Sequence, residues 1–253
     1  MPDNLRYARQ LALPGFDAER QARLARARVL VVGLGGLGSP AAHYLAGAGV
    51  GKLVLNDFDR VDATNLHRQT LFVEADAGRG KAEAACARLA AVNPDIDLVP
   101  LDTRLQGDAL SNEVAEADLV VDATDNFGSR FALNAACVTV GKPLVSGAAI
   151  RFGGQLATFD AGDPASPCYA CLYPETAEEF ENCAGNGVLG PVVGVVGAAL
   201  AVEALKRLTG IGEYVAGMLW RYDGLTGAWR GTRIRRDSGC AVCGSQSPVS
   251  RRA

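Results

Sequence analysis

From residue 29 onward, short apolar runs alternate with longer stretches of mixed polarity. VLVVG (29–33), KLVLND (52–57), DIDLVPL (95–101), DLVVDAT (118–124) and PLVSGAA (143–149) are dense in Val, Leu and Ile. Near-continuous apolar runs of this length mark strands covered on both faces. Between them, residues 38–48, 79–92, 107–117 and 127–140 have the length and spacing of helices. The alternation predicts an α/β fold, a Rossmann-like and mostly parallel sheet with helices on both faces. GGQLATFDA (153–161) adds a strand. The segment before residue 29 is charged and helix-like, with Arg6, Arg9, Glu19, Arg20, Arg23, Arg26 and Arg28, and reads as a cap. After Gly162 the pattern breaks: residues 163–187 hold Pro, Cys and Glu with little periodicity. Irregular chain of that length is either functional or disordered. Residues 188–209 predict one apolar helix, and 214–236 a hairpin turning at Asp223–Gly227. The expected organisation is one unit over 1–245. Within it lie a helical segment (1–28), a nucleotide-binding core (29–161) and a crossover loop, helix and C-terminal strands (162–245), with 246–253 a tail.

Composition narrows the function. Apolar residues make up 49% of the 253, enough for a substantial core. A net charge of −3 argues against nucleic acid as a partner. The N-terminus MPDNLRYARQ is polar, and the longest apolar run, Val188 to Val202, is interrupted by Pro191. That run is shorter than the roughly 20 residues of a membrane span. The expectation is a cytoplasmic protein without a membrane partner.

Gly33, Gly35 and Gly38 form G-x-G-x-x-G, with Gly36 an extra glycine, between a strand and a helix. In that context glycines permit a tight turn and close backbone approach, and the helix N-terminus attracts phosphate. Asp57 closes the second strand, where a ribose hydroxyl is held in such folds. These features say nucleotide without saying which. TNLHRQ (64–69) supplies Asn65, Arg68 and Gln69; GRGK (78–81) supplies Lys81; DATDN (122–126) supplies Asp125 and Asn126. All three clusters fall at carboxyl ends of strands, where α/β sheets bind ligands. Two cations and a carboxylate suit a triphosphate: Arg68 and Lys81 take phosphate charge and Asp125 takes Mg²⁺. His43 and His67 are the only histidines; His43 reads as packed in the first helix, and His67 neighbours Arg68. This leaves little for the acid–base pair of a nicotinamide dehydrogenase.

Seven cysteines without a secretion signal favour metal or catalytic roles over disulfides. Cys168-x-x-Cys171 and Cys240-x-x-Cys243 have the pattern of a closed Cys₄ zinc site, here joining a loop to the returning C-terminal chain. Cys86 and Cys137 lie in apolar patterns and read as core. Cys183 lies among polar and small residues, and its composition leaves an idle thiol and a nucleophile equally open.

Taken together, RYARQ (6–10), GLGGLG (33–38), NDFD (56–59), NLHRQ (65–69), GRGK, TDN (124–126), FGGQL (152–156), CYAC, GVLGPVVGVVG (187–197) and GCAVCG (239–244) resemble the MoeB/ThiF/HesA adenylyltransferases, relatives of ubiquitin-activating enzymes. The resemblance runs from residue 5 to 244. It implies ATP with Mg²⁺, and adenylation of the C-terminal Gly-Gly carboxylate of a ubiquitin-like sulfur-carrier protein, for molybdopterin or thiamine thiazole synthesis. It implies that Gly33, Gly35, Gly36, Gln69 and Asn126 lie about the nucleotide and Asp57 holds the ribose. Asn65, Arg68 and Lys81 contact phosphates, and Asp125 handles Mg²⁺. Arg9 reaches an ATP bound by the other subunit of a homodimer, and the four paired cysteines bind structural Zn²⁺. Cys183 matches a loop thiol linked covalently to the carrier in some members and dispensable in others. Residues 172–187 are expected to close over the carrier tail. His67 stands where the family often has Gln. No rhodanese-like extension follows residue 245, so a separate sulfurtransferase or cysteine desulfurase is expected as sulfur donor. Two other readings remain: a zinc-stapled carrier-docking module without catalysis, and an NAD-dependent oxidoreductase on the same glycine loop.

Overall fold

A computed structural model describes residues 5–173 and 187–244. Cys183, most of the 172–187 segment and the 246–253 tail lie outside the described residues. Two short helices, α1 (Ala8–Leu11) and α2 (Ala18–Arg26), precede the sheet. α2 begins where the Asp17 carboxylate accepts the Arg20 backbone N–H, a side-chain cap for an otherwise orphaned donor. The core then alternates: β1 (Arg28–Val32), α3 (Gly38–Ala48), β2 (Lys52–Asn56), α4 (Lys81–Val92), β3 (Asp97–Leu101), α5 (Gly107–Glu116), β4 (Leu119–Asp122), α6 (Phe127–Val140) and β5 (Pro143–Ile150). β6 (Gly153–Asp160), α7 (Tyr169–Leu172), α8 (Gly190–Thr209), β7 (Met218–Asp223) and β8 (Ala228–Arg233) complete it.

All eight strands form one sheet in the order β3-β2-β1-β4-β5-β6-β7-β8. β3 to β5 run parallel, while β6, β7 and β8 each pair antiparallel with their neighbours. The chain winds outward from β1 in one direction to β2 and β3, then returns to β4 on the other side. The crevice at the carboxyl ends of β1 and β4 is therefore the switch point, where such sheets bind ligands. One face of the sheet buries Val29, Val31, Leu53 and Leu55 with Leu45 of α3, Leu89 of α4 and Leu200 of α8. The other buries Leu30, Val54 and Val120 with Val114 of α5 and Leu133 of α6. Alternate residues of each strand enter opposite cores, so the same short runs serve both.

Three details differ from the sequence reading. The segment after Gly162 contains one turn of helix, α7, held where Asn134 Oδ1 accepts the Tyr169 N–H at 2.8 Å. The hairpin lies at the edge of the main sheet through β6. His43 is exposed, edge-on to Tyr44, because both lie on the α3 surface turned away from the sheet. Cys137 is buried as expected, and Cys86 is partly buried against the first core.

Candidate active site

The glycine loop is shaped by contacts that leave no room for side chains. Gly33 has φ +88°, and a Cβ there would sit 2.7 Å from the Ala123 carbonyl oxygen. A Cβ on Gly38 would lie 1.8 Å from the Gly33 carbonyl oxygen, so the start of α3 is folded directly onto the end of β1. Gly38→Ala is therefore expected to destabilise the protein by about 2 kcal/mol and lower its thermal midpoint by about 5 °C. An unchanged midpoint in calorimetry refutes this account of the loop.

A cavity of about 1390 Å³ opens over the loop at the switch point. It exceeds the roughly 300–1,000 Å³ of a single small-molecule pocket. Gly33, Gly35, Gly36, Asp57, Arg68, Gln69, Lys81, Asp125 and Asn126 all line it. Asn65 and Arg9 do not. Asn65 Oδ1 accepts the Arg68 guanidinium at 2.6 Å, so it orients that cation and stands one shell back. Arg9 is exposed on α1, away from this chain's own cavity. His67 lines the cavity wall, with Nδ1 3.0 Å from the Thr64 carbonyl oxygen.

Asp57 ends β2 with its carboxylate turned to the loop. Oδ2 accepts the Leu34 N–H at 2.8 Å, and Oδ1 accepts the Asp59 N–H at 2.9 Å. Burial raises its pKa above the ordinary carboxylate value, and the nearby Lys81 charge works against the rise. Lys81 opens α4 and is 5% exposed. Its ammonium pairs with Asp59 at 3.0 Å. Asp59 was not foreseen as a partner, although it stands two residues from Asp57 in the NDFD run.

Gln69 is buried, and its Oε1 has no hydrogen-bond partner among the described residues. A buried amide oxygen without a donor is costly unless a ligand or water supplies one. The cradle thus fits a nucleotide bringing donors and phosphate charge. Asp125 and Asn126 follow β4 and are exposed, with Asn126 capping α6 through the Ser129 N–H at 2.9 Å. Beneath them Asp122 is fully buried. It accepts the Thr124 N–H and hydroxyl on Oδ1, at 3.0 and 2.7 Å, and the Ser146 hydroxyl on Oδ2 at 2.7 Å. That network holds the turn carrying Asp125, and the DATDN run contained its signal. Arg130 Nη2 donates to the Thr124 carbonyl at 2.7 Å from below.

Other lining residues were missed because only the fold brings them here. Arg104 follows β3 and lies over the Phe58 ring, 4.7 Å from its centroid. Gln155 of β6, Arg221 of β7 and Tyr173 line the far end, where the Tyr173 hydroxyl donates to Gln155 Oε1 at 2.9 Å.

The four paired cysteines meet beside α6. Their sulfurs lie within 4.8 Å of one another, with Cys168–Cys240 at 3.7 Å and Cys171–Cys243 at 3.4 Å. Those gaps far exceed the ~2.05 Å of a disulfide. Four sulfurs about 2.3 Å from one tetrahedral ion stand about 3.8 Å apart. The cluster has the donor set and the span for such an ion.

The comparisons agree with this architecture. The chain is 48% identical over 245 residues to the sulfur carrier protein ThiS adenylyltransferase of Escherichia coli K12, covering 97% of each. It is 48% identical over 240 residues to the molybdopterin-synthase adenylyltransferase of Salmonella typhimurium, covering 95% of this chain and 96% of that one. Among solved structures, E. coli MccB with AMPCPP and SeMeT MccA superposes with a TM-score of 0.84 at 24% identity, over 97% of this chain and 75% of that one. With the ThiF family profile matching residues 7–242, a span that takes in the glycine loop, the cavity and the cysteine cluster, the chain belongs to the ThiF family.

Proposed function

We propose that this protein is an ATP-dependent adenylyltransferase acting on the C-terminal Gly-Gly carboxylate of a ubiquitin-like sulfur-carrier protein. The carrying observation is one cavity that joins the glycine loop and Asp57 to Arg68, Lys81 and Asp125. The similar proteins, adenylyltransferases of ThiS and of molybdopterin synthase, support the same reading.

A carboxylate is ionised at neutral pH, so its attack on the α-phosphorus needs no general base. One carboxylate oxygen bonds to that phosphorus, the bond to the β-phosphate oxygen breaks, and pyrophosphate leaves with its electron pair. Rate comes from position and from offsetting charge. The loop amides and the α3 N-terminus face the phosphates. Arg68, held by Asn65, and Lys81, held by Asp59, carry the cationic charge. Asp57 takes the ribose hydroxyls. Asp125 is the residue that would hold Mg²⁺, and the ion would supply positive charge to offset that of the phosphates. Cys168, Cys171, Cys240 and Cys243 would hold Zn²⁺ in a closed, structural site.

A homodimer supplies Arg9 from the second subunit in this reading. Tyr44, Val195 and Val202 are exposed on the packed helices α3 and α8, where a second copy would cover them. A separate sulfurtransferase or desulfurase then consumes the acyl-adenylate. No helix among the described residues is long and apolar enough to cross a membrane.

Ribose hydroxyls donate to the ionised form of Asp57 and so lower its pKa on binding. Nucleotide affinity is therefore full above the free protein's raised Asp57 pKa and falls as pH drops through it. The folding contribution has the opposite sign: the raised pKa favours the folded state at low pH and loses that benefit as pH rises. Titrating ATP by calorimetry at several pH values checks this, and the slope must flatten in Asp57→Asn.

The decisive test is ATP–[³²P]pyrophosphate exchange with Gly-Gly-terminated carriers from the same cell. Label should enter ATP with one carrier and not without it. Zinc-loaded, folded protein that gives no exchange with any carrier defeats the proposal.

A further inference from the structure

The sheet register sets a row of side chains running from the cavity floor to the open edge. Ala148 of β5 is directly opposite Gln155 of β6, Gln155 opposite Arg221 of β7, and Arg221 opposite Arg230 of β8. Directly opposed residues point to the same face. Ala148, Gln155 and Arg221 line the cavity, so the row lies on its wall, and Arg230 continues it outward. Gly153 and Gly154 line the cavity beside the row; Gly153 has nothing closer than 3.7 Å to where a Cβ would sit, while Gly154 is packed against Val196 of α8.

The end of the row is electrically unusual. Like charges directly opposed across two strands are destabilising. Arg221 and Arg230 are both exposed, and the ion pairs of the described residues do not include either of them. Asp223, two residues along β7 from Arg221, is held ionised by its backbone hydrogen bond to Leu225 with help from the Arg230 charge, so the group keeps one net positive charge. A ligand that brings an acid to the pair offsets the repulsion.

Adjacent strands are about 4.8 Å apart, so Arg221 stands about 10 Å from Ala148 and Arg230 about 14 Å. An extended peptide advances about 3.3 Å per residue. A tail lying across the strands, its terminus at the cavity floor, passes the arginines three to four residues upstream. We propose that Arg221 and Arg230 recognise an Asp or Glu side chain about three to four residues before the carrier's terminal glycine, and so select among carriers. Gln155, fixed by the Tyr173 hydroxyl, bonds the tail backbone between that acid and the reacting end.

The inference rests on the adenylation reading, and the test separates the two. A Gly-Gly carrier that supports exchange on the unaltered protein is titrated against that protein and against an Arg221→Gln, Arg230→Gln double variant. The carrier KM should rise about tenfold in the variant, with kcat and the ATP Kd within twofold. The carrier KM of the unaltered protein should also rise with ionic strength more steeply than that of the variant. Both arginines are exposed, and the variant removes their repulsion together with the Arg230–Asp223 attraction, so its thermal midpoint should stay within about 2 °C of the parent's. Arg221→Lys keeps the charge and should keep the KM near its original value. Arg221→Glu should be rescued by Lys in place of the carrier's acid. An unchanged carrier KM in the double variant overturns this inference and leaves adenylation standing. A weakened ATP Kd overturns it too, assigning the pair to phosphate. No exchange on the unaltered protein overturns adenylation and this inference with it.

Discussion

A protein carrying Asp125→Ala should fold like its parent and lose pyrophosphate exchange by about a thousandfold. The size follows from removing one group that offsets charge at the reacting phosphate, worth about 3–4 kcal/mol where water is excluded. The intact fold follows from exposure. Asp125 stands at the cavity surface, and among the described residues its side chain meets a 3.4 Å approach from the Asn126 amide. The buried carboxylate three residues earlier provides the contrast. Asp122 satisfies three donors at 0% exposure, so Asp122→Ala should cost both activity and stability. Measuring both variants by exchange and by calorimetry separates chemistry from scaffold. If Asp125→Ala retains more than a tenth of the activity, that residue handles neither metal nor phosphate.

Replacing Cys171 or Cys243 with Ser should lower the thermal midpoint by about 10 °C and release one zinc per chain. The four sulfurs join segments 72 residues apart in sequence. Closing a loop of that length restricts the unfolded chain by about 4 kcal/mol on the arithmetic used for disulfides. In a protein of this size each kcal/mol moves the midpoint by about 2–4 °C. Mass spectrometry under non-denaturing conditions reads the metal directly. A metal-free protein with an unaltered midpoint would falsify the staple. Because four thiolates leave no open position, the activity lost on zinc removal should track unfolding and not precede it.

The parallel core was legible because its strands are covered on both faces and spell themselves as unbroken Val and Leu runs. The same reasoning placed the glycine loop, Asp57, Arg68, Lys81 and Asp125, since each follows a strand end that the switch point gathers into one cavity. The cysteine pairs announced their cluster by spacing alone. What escaped was pairing between distant segments. Asp59 beside Lys81, Arg104 over Phe58 and the Gln155–Arg221–Arg230 row depend on which strand lies next to which. No local period encodes that neighbourhood. Asn65 was placed at the phosphates by resemblance; that its side chain accepts from the Arg68 guanidinium was not foreseen. His43 was read as packed in the first helix; α3 has a solvent face that the alanine-rich sequence does not mark.

β7 and β8 are the last strands made, and they occupy the far edge of a sheet whose opposite half is complete by residue 150. At roughly 5–20 residues per second, synthesis of residues 160–243 takes on the order of ten seconds. A chain emerging from the ribosome thus owns its glycine loop, Lys81 and Asp125 well before Arg221, Arg230 and the second cysteine pair exist. During that interval the cavity lacks the wall that β7 supplies. The order of the strands thus makes that wall and the second half of the cysteine cluster the last parts of the molecule to be completed.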